Sequence, residues 1–183
     1  MHRHTGTYTE RGGSLVKKTI LVLAIMVAII PAMAFADFQI GVVAGDFAAP
    51  ISYMDSGASI SSSDLAYGLE ARLKLWILQA GVSAFYMPSI ETVYMLTDAG
   101  VALDLLFLRV GAGVGPNLLA DTQGGGSQLW GWNLKTTFDI NLGNLGLGLI
   151  TYTAFDSFAN FGYVMQNFMD YTYLGVTLMF RIF

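Results

Sequence analysis

Nine ionisable side chains recur at alternate positions of otherwise apolar stretches: Glu70, Arg72, Lys74, Asp98, Asp104, Arg109, Lys135, Asp139 and Arg181. The carboxylates Glu70, Asp98, Asp104 and Asp139 are of the type that forms an acid/base pair, one donating a proton while another accepts it. The five cations interspersed with them point instead to mutual neutralisation inside a closed lumen. Nucleophilic chemistry of the Ser-His or Cys-His kind has little to work with. The chain has no Cys, and its two histidines, His2 and His4, fall within the first four residues.

Two other segments invite a chemical reading. Gly111-Ala112-Gly113-Val114-Gly115-Pro116 looks like a phosphate-binding loop, but its period of two and its proline oppose the helix such a loop must enter, so these are strand glycines. Asp121-Thr122-Gln123-Gly124-Gly125-Gly126 offers a cation one carboxylate and reads as a loop tip. No metal site and no cofactor are expected.

The elements that carry the charges are strands. Leu65 to Leu75 alternates without a fault, Leu65, Tyr67, Leu69, Ala71, Leu73 and Leu75 on one face and Glu70, Arg72 and Lys74 on the other. Val93 to Leu105 and Trp130 to Leu142 do the same, the latter with Trp130 and Trp132 on the apolar face. Each is followed at once by a glycine-spaced partner, Leu78-Gln79-Ala80-Gly81, Leu108-Arg109-Val110-Gly111 or Leu145-Gly146-Leu147-Gly148, at offsets of 30 and 37 residues. This is a hairpin repeat with tight turns at one end.

The whole pattern predicts eight strands: Phe38–Phe47, Leu65–Trp76, Leu78–Met87, Thr92–Leu105, Phe107–Gly115, Leu129–Leu142, Leu145–Phe155 and Tyr171–Phe183. Short turns fall near Trp76-Ile77, Leu106 and Gly143-Asn144, and longer connections at Ala48–Asp64, Pro88–Glu91, Pro116–Gln128 and Asp156–Asp170. The fold expected is all-β, an eight-stranded antiparallel up-and-down transmembrane β-barrel. All nine charges above then face the lumen, so no Lys or Arg meets lipid, where each would cost roughly 2 to 4 kcal/mol at mid-depth. Gly111, Gly113, Gly115, Gly146 and Gly148 share that inner face and make room for the long charged chains.

Composition agrees with this class. The chain has 183 residues, 54% of them hydrophobic and 12% charged, with a mean hydropathy of +0.55, yet it is apolar on average rather than in blocks. A soluble, lipocalin-like barrel is the alternative, but it would have to fit that apolar content, with Trp130 and Trp132, into a small lumen.

Lys17 and Lys18, the apolar run Ile20 to Ile30 and the small-x-small stretch Ala34-Phe35-Ala36 predict a cleaved signal peptide over residues 16–36, with residues 1–15 as upstream sequence before a start at Val16. The mature chain is then Asp37 to Phe183, with five basic and twelve acidic residues. So few cations exclude a nucleic-acid surface. Asp46, Asp55, Asp64, Glu91, Asp121, Asp156 and Asp170 lie in or beside the long connections, where they make an acidic rim that is either merely solvated or a weak site for cations or a basic partner. The last connection is apolar, and Phe158, Phe161, Tyr163 and Phe168 either extend a hairpin or form an apolar mouth.

The chain ends Tyr171-Thr172-Tyr173-Leu174-Gly175-Val176-Thr177-Leu178-Met179-Phe180-Arg181-Ile182-Phe183, a strand closed by Phe. In this it resembles the small outer-membrane barrels of the OmpX, OmpA and OmpW type. The resemblance implies export to the outer membrane of a diderm bacterium, contact with its lipid, and assembly by the barrel-assembly machinery, with Phe183 as the assembly signal. Arg181, two places before the end, departs from the usual aromatic or aliphatic residue, so Arg181 inward and Phe183 outward requires a twisted or bulged end. Barrel enzymes of that membrane characteristically use His, which Asp37–Phe183 lacks. The function expected is a non-catalytic, monomeric barrel with a side-chain-filled lumen and a structural or surface-interaction role towards an extracellular ligand. The alternative is a narrow OmpW-like channel for small hydrophobic solutes.

Overall fold

The computed structural model describes residues 36–47, 49–55, 65–121 and 127–183. They form a closed barrel of eight antiparallel strands in sequence order: β1 (Ala36–Asp46), β2 (Leu65–Leu75), β3 (Leu78–Met87), β4 (Thr92–Leu105), β5 (Leu108–Asp121), β6 (Ser127–Leu142), β7 (Leu145–Phe155) and β8 (Thr172–Arg181). Closure comes from β1 and β8, paired from Gln39 opposite Arg181 to Asp46 opposite Leu174. Short helices α1 (Ile51–Asp55), α2 (Phe161–Gln166) and α3 (Phe168–Tyr171) and a 3-10 turn at Pro88–Ile90 occupy the long connections. Among the described residues no helix is long and apolar enough to cross a membrane.

The period-two pattern sets the two faces of the wall. Leu69, Leu103, Leu147, Leu149, Val176 and Phe180 are exposed on the outside, while Glu70, Arg72, Arg109, Lys135 and Asp139 are almost wholly buried within. Three two-residue turns close the hairpins at one rim, with Trp76, Leu106 and Gly143 at positive φ (56°, 58° and 68°). The following residue of each turn accepts a bond from a strand further on: Ala102 N–H donates to Ile77 O, Asn141 N–H to Phe107 O and Arg181 N–H to Asn144 O, at 2.7–2.8 Å. The repeat seen in the sequence is therefore a repeat in three dimensions.

Two segments differ from expectation. β5 continues through Pro116 to Asp121 instead of ending at Gly115, and β6 begins at Ser127. Between Pro116 and Leu118 the pairing shifts, because β6 carries one residue more than β5 over that stretch. Gly131, at φ +93°, supplies this bulge, and a Cβ there would lie 2.8 Å from Phe155 O. Pro116 thus sits at an irregularity, where a missing N–H disturbs the ladder least. The bulge also changes the phase of Trp130, which the alternation places outside with Trp132. Its ring meets the inward ring of Tyr94 edge-on at 5.5 Å.

The C-terminal end keeps its phase without a bulge. Gly175, Thr177 and Met179 are buried and Arg181 points inward. The strand stops there, and Phe183 turns out to stack on Phe38 at 5.8 Å, held by Phe38 N–H donating to Phe183 O and Ile182 N–H to Phe38 O.

Candidate functional site: a charged plug beneath an aromatic cavity

The inward positions of β2, β4, β5 and β6 bring charged side chains together in the half of the lumen nearest the tight turns. Nearest that rim, Arg109 Nε donates to Asp104 Oδ1 at 2.6 Å and its Nη2 binds Asp37, while Arg181 Nη2 reaches Asp37 Oδ2 at 2.9 Å. Lys74 joins the same layer by pairing with Asp104. The next layer is more deeply buried. Arg72 Nε donates to Glu70 Oε1 at 2.7 Å and Arg72 Nη1 to Asp139 Oδ2 at 2.6 Å, with Lys135 Nζ 2.6 Å from both Glu70 Oε1 and Asp98 Oδ1.

The nine residues singled out in the sequence all lie in this network, and among the described residues every Lys and Arg has an acidic partner. One member was not anticipated. Asp37 binds both Arg109 and Arg181 and brings the acids to five. Two signals pointed to it: it shares the parity of Gln39, Gly41 and Val43, and four acids left one of five cations without a partner.

Inner glycines create the space. A Cβ on Gly81 would lie 2.6 Å from Asp98 Oδ1 and 2.9 Å from Lys135 Nζ, one on Gly113 2.9 Å from Asp98 Oδ2, and one on Gly148 would overlap the Asp139 carboxylate. Each carboxylate of the network has at least one oxygen against a cation, the arrangement of mutual neutralisation.

Above the charges the lumen turns aromatic. Phe47, Phe85 and Tyr152 pack together with ring centroids 4.5–5.5 Å apart, and Val43, Leu96 and Ile150 join them. Tyr152 joins the two zones: its hydroxyl donates to Ser83 Oγ at 2.9 Å, and Lys135 Nζ lies 6.0 Å from its ring centre. Over this floor opens a cavity of about 310 Å³, walled chiefly by Phe47, Phe85, Tyr94, Leu96, Trp130 and Tyr173. Asn133 closes one side, its amide donating to Asn117 Oδ1 at 2.7 Å and to Gly115 O at 3.0 Å.

The aromatic residues expected at a mouth sit elsewhere. Phe158 packs on Trp132 and Phe155 at 4.9 and 5.3 Å, Phe161 on Phe155 at 5.2 Å, and Tyr163 on Tyr171 at 6.2 Å, while Phe168 is exposed on α3. The last connection folds Phe158 and Phe161 onto Trp132 and Phe155 at the end of the β6–β7 hairpin, and the cavity wall comes chiefly from strand residues instead. Of the acidic rim, Asp156 and Asp170 are exposed, whereas Asp46 is buried and accepts from Ala49 N–H at 3.1 Å. Asp64 lies outside the described residues, as does the 122–126 loop tip.

No family model matches the chain, and no curated protein or solved structure is detectably similar to it.

Proposed function

We propose that the protein is a monomeric, non-catalytic outer-membrane barrel whose lumen is closed by its own charges and whose long connections carry a structural or surface-interaction role. The observation that carries this reading is the combination of a buried, ion-paired lumen with an outer wall on which, among the described residues, no Lys or Arg stands. Aromatic side chains at both ends of that wall support it: Tyr67 against Tyr86 towards the long connections, and Phe38 with Phe183 and exposed Trp76 and Phe107 towards the tight turns. Strands of 10–16 residues are long enough to cross with tilt. On this reading the exposed Phe183 is presented to the barrel-assembly machinery, after export of the chain with residues 1–36 as a leader. Membrane fractionation with heat-modifiable gel migration tests it, and a soluble, non-modifiable protein would refute it.

The second reading, a narrow channel for small hydrophobic solutes, draws on the aromatic cavity at the long-connection end. A solute leaving that cavity downwards would meet the Phe47, Phe85 and Tyr152 floor and then two layers of ion pairs.

A further inference from the structure

The cavity has properties that a plug does not need. Its wall contains no charged side chain and is dominated by aromatic and aliphatic groups, which suits a neutral, largely apolar guest. Two of its side chains have unused hydrogen-bonding capacity. Tyr94 and Tyr173 both line it, and among the described residues neither hydroxyl makes a hydrogen bond, in contrast to Tyr152, which is committed to Ser83. A phenol can donate and accept, so these two hydroxyls suit a guest carrying one hydroxyl or N–H group. Volume sets the guest's size. A dry cavity of about 150 Å³ holds benzene, so about 310 Å³ fits two fused rings or a comparable branched chain. The path is blind, because Phe85 and Tyr152 close it below.

We infer that this cavity is a dead-end binding site for a small neutral amphipathic molecule, its apolar body between Phe47, Phe85, Leu96 and Trp130 and its polar group on the hydroxyls of Tyr94 and Tyr173. The site rests on the reading of the chain as a membrane barrel but not on the closure of its lumen. Binding and conductance are measured separately, so either can fail alone.

The test uses protein purified from membranes and held in lipid nanodiscs, with Trp130 left as its single tryptophan by Trp76→Phe and Trp132→Phe. The probes are 6-bromo-2-naphthol and its methyl ether, which cannot donate. Saturable quenching of Trp130 is expected, with the naphthol binding roughly tenfold more tightly than the ether, the factor one hydrogen bond of ordinary strength supplies. Tyr94→Phe/Tyr173→Phe removes only two hydroxyls and is expected to bring the naphthol to the affinity of the ether. Ala154→Phe puts a ring into the cavity while keeping both hydroxyls and is expected to abolish saturable quenching by both probes. Quenching that rises linearly as membrane partition does, or saturable quenching that survives Ala154→Phe, would overturn the site. Equal affinities of naphthol and ether in the parent protein would overturn the assignment of the polar group.

Discussion

Arg72 and Asp139 face each other across the full width of the lumen. They stand on β2 and β6, four staves apart in a ring of eight, and the guanidinium meets the carboxylate at 2.6 Å. Arg109 on β5 and Asp37 on β1 make a second such bridge nearer the tight turns. Charges that merely lined the wall would pair with neighbouring strands and leave the axis open. These cross it.

Removing one partner of such a bridge leaves buried charge unpaired. Arg72→Ala leaves Asp139 without a cation and Glu70 with Lys135 alone, and is expected to cost about 3 to 5 kcal/mol. The triple change Arg72→Met/Glu70→Gln/Asp139→Asn removes the charges together and is expected to recover at least half of that loss. Urea unfolding followed by gel migration of folded and unfolded bands measures both. A triple variant less stable than Arg72→Ala would show that the cost lies in packing.

The inner glycines make a sharper prediction. Gly148→Ala drives a methyl group into Asp139 and is expected to destabilise the barrel by about 1 to 3 kcal/mol. Gly162→Ala, in α2 with open space around it, is expected to be neutral or to stabilise by up to about 1 kcal/mol. The same unfolding series compares them, and equal effects would contradict the view that glycine makes room for the plug.

Gly131→Ala tests the bulge. With φ at +93° and Phe155 O 2.8 Å from the new Cβ, the substitution is expected to cost about 1 to 2 kcal/mol. It is also expected to move Trp130 off Tyr94, seen as a changed emission maximum in the single-tryptophan protein. An unchanged spectrum would mean that the bulge does not set the phase of Trp130.

Much of this architecture is legible in the amino-acid sequence. Alternation alone places Glu70, Arg72, Lys74, Asp98, Lys135 and Asp139 on one face, and a closed wall with an apolar outer face leaves them only the inner one. Features that break the period were not legible. Trp130 looked lipid-facing because a bulge one residue away flips its parity, and nothing local to Gly131 distinguishes it from the in-register glycines of β5 and β7. Phe158, Phe161 and Tyr163 marked the last connection as apolar, but which surface they cover depends on how α2 and α3 fold back, a tertiary matter. Asp37 falls one residue before the strand expected at Phe38–Phe47, so its inward parity and the unmatched fifth cation go unread until β1 is seen to begin at Ala36.

Phe183 separates folding from assembly. The stack on Phe38 is one exposed aromatic contact, so Phe183→Ala is expected to lower stability in vitro by no more than about 1.5 kcal/mol. If Phe183 is the assembly signal, the heat-modifiable fraction in cell membranes should fall several-fold more than that small loss explains. Unchanged membrane yield would remove that role.

A lumen closed by charge pairs across its axis passes no ions, which single-channel conductance in planar bilayers checks. The protein purified from membranes is expected to be electrically silent, and Arg72→Ala/Arg109→Ala, lacking both bridges, to open discrete conducting events. Steady conductance by the unaltered protein would contradict that closure.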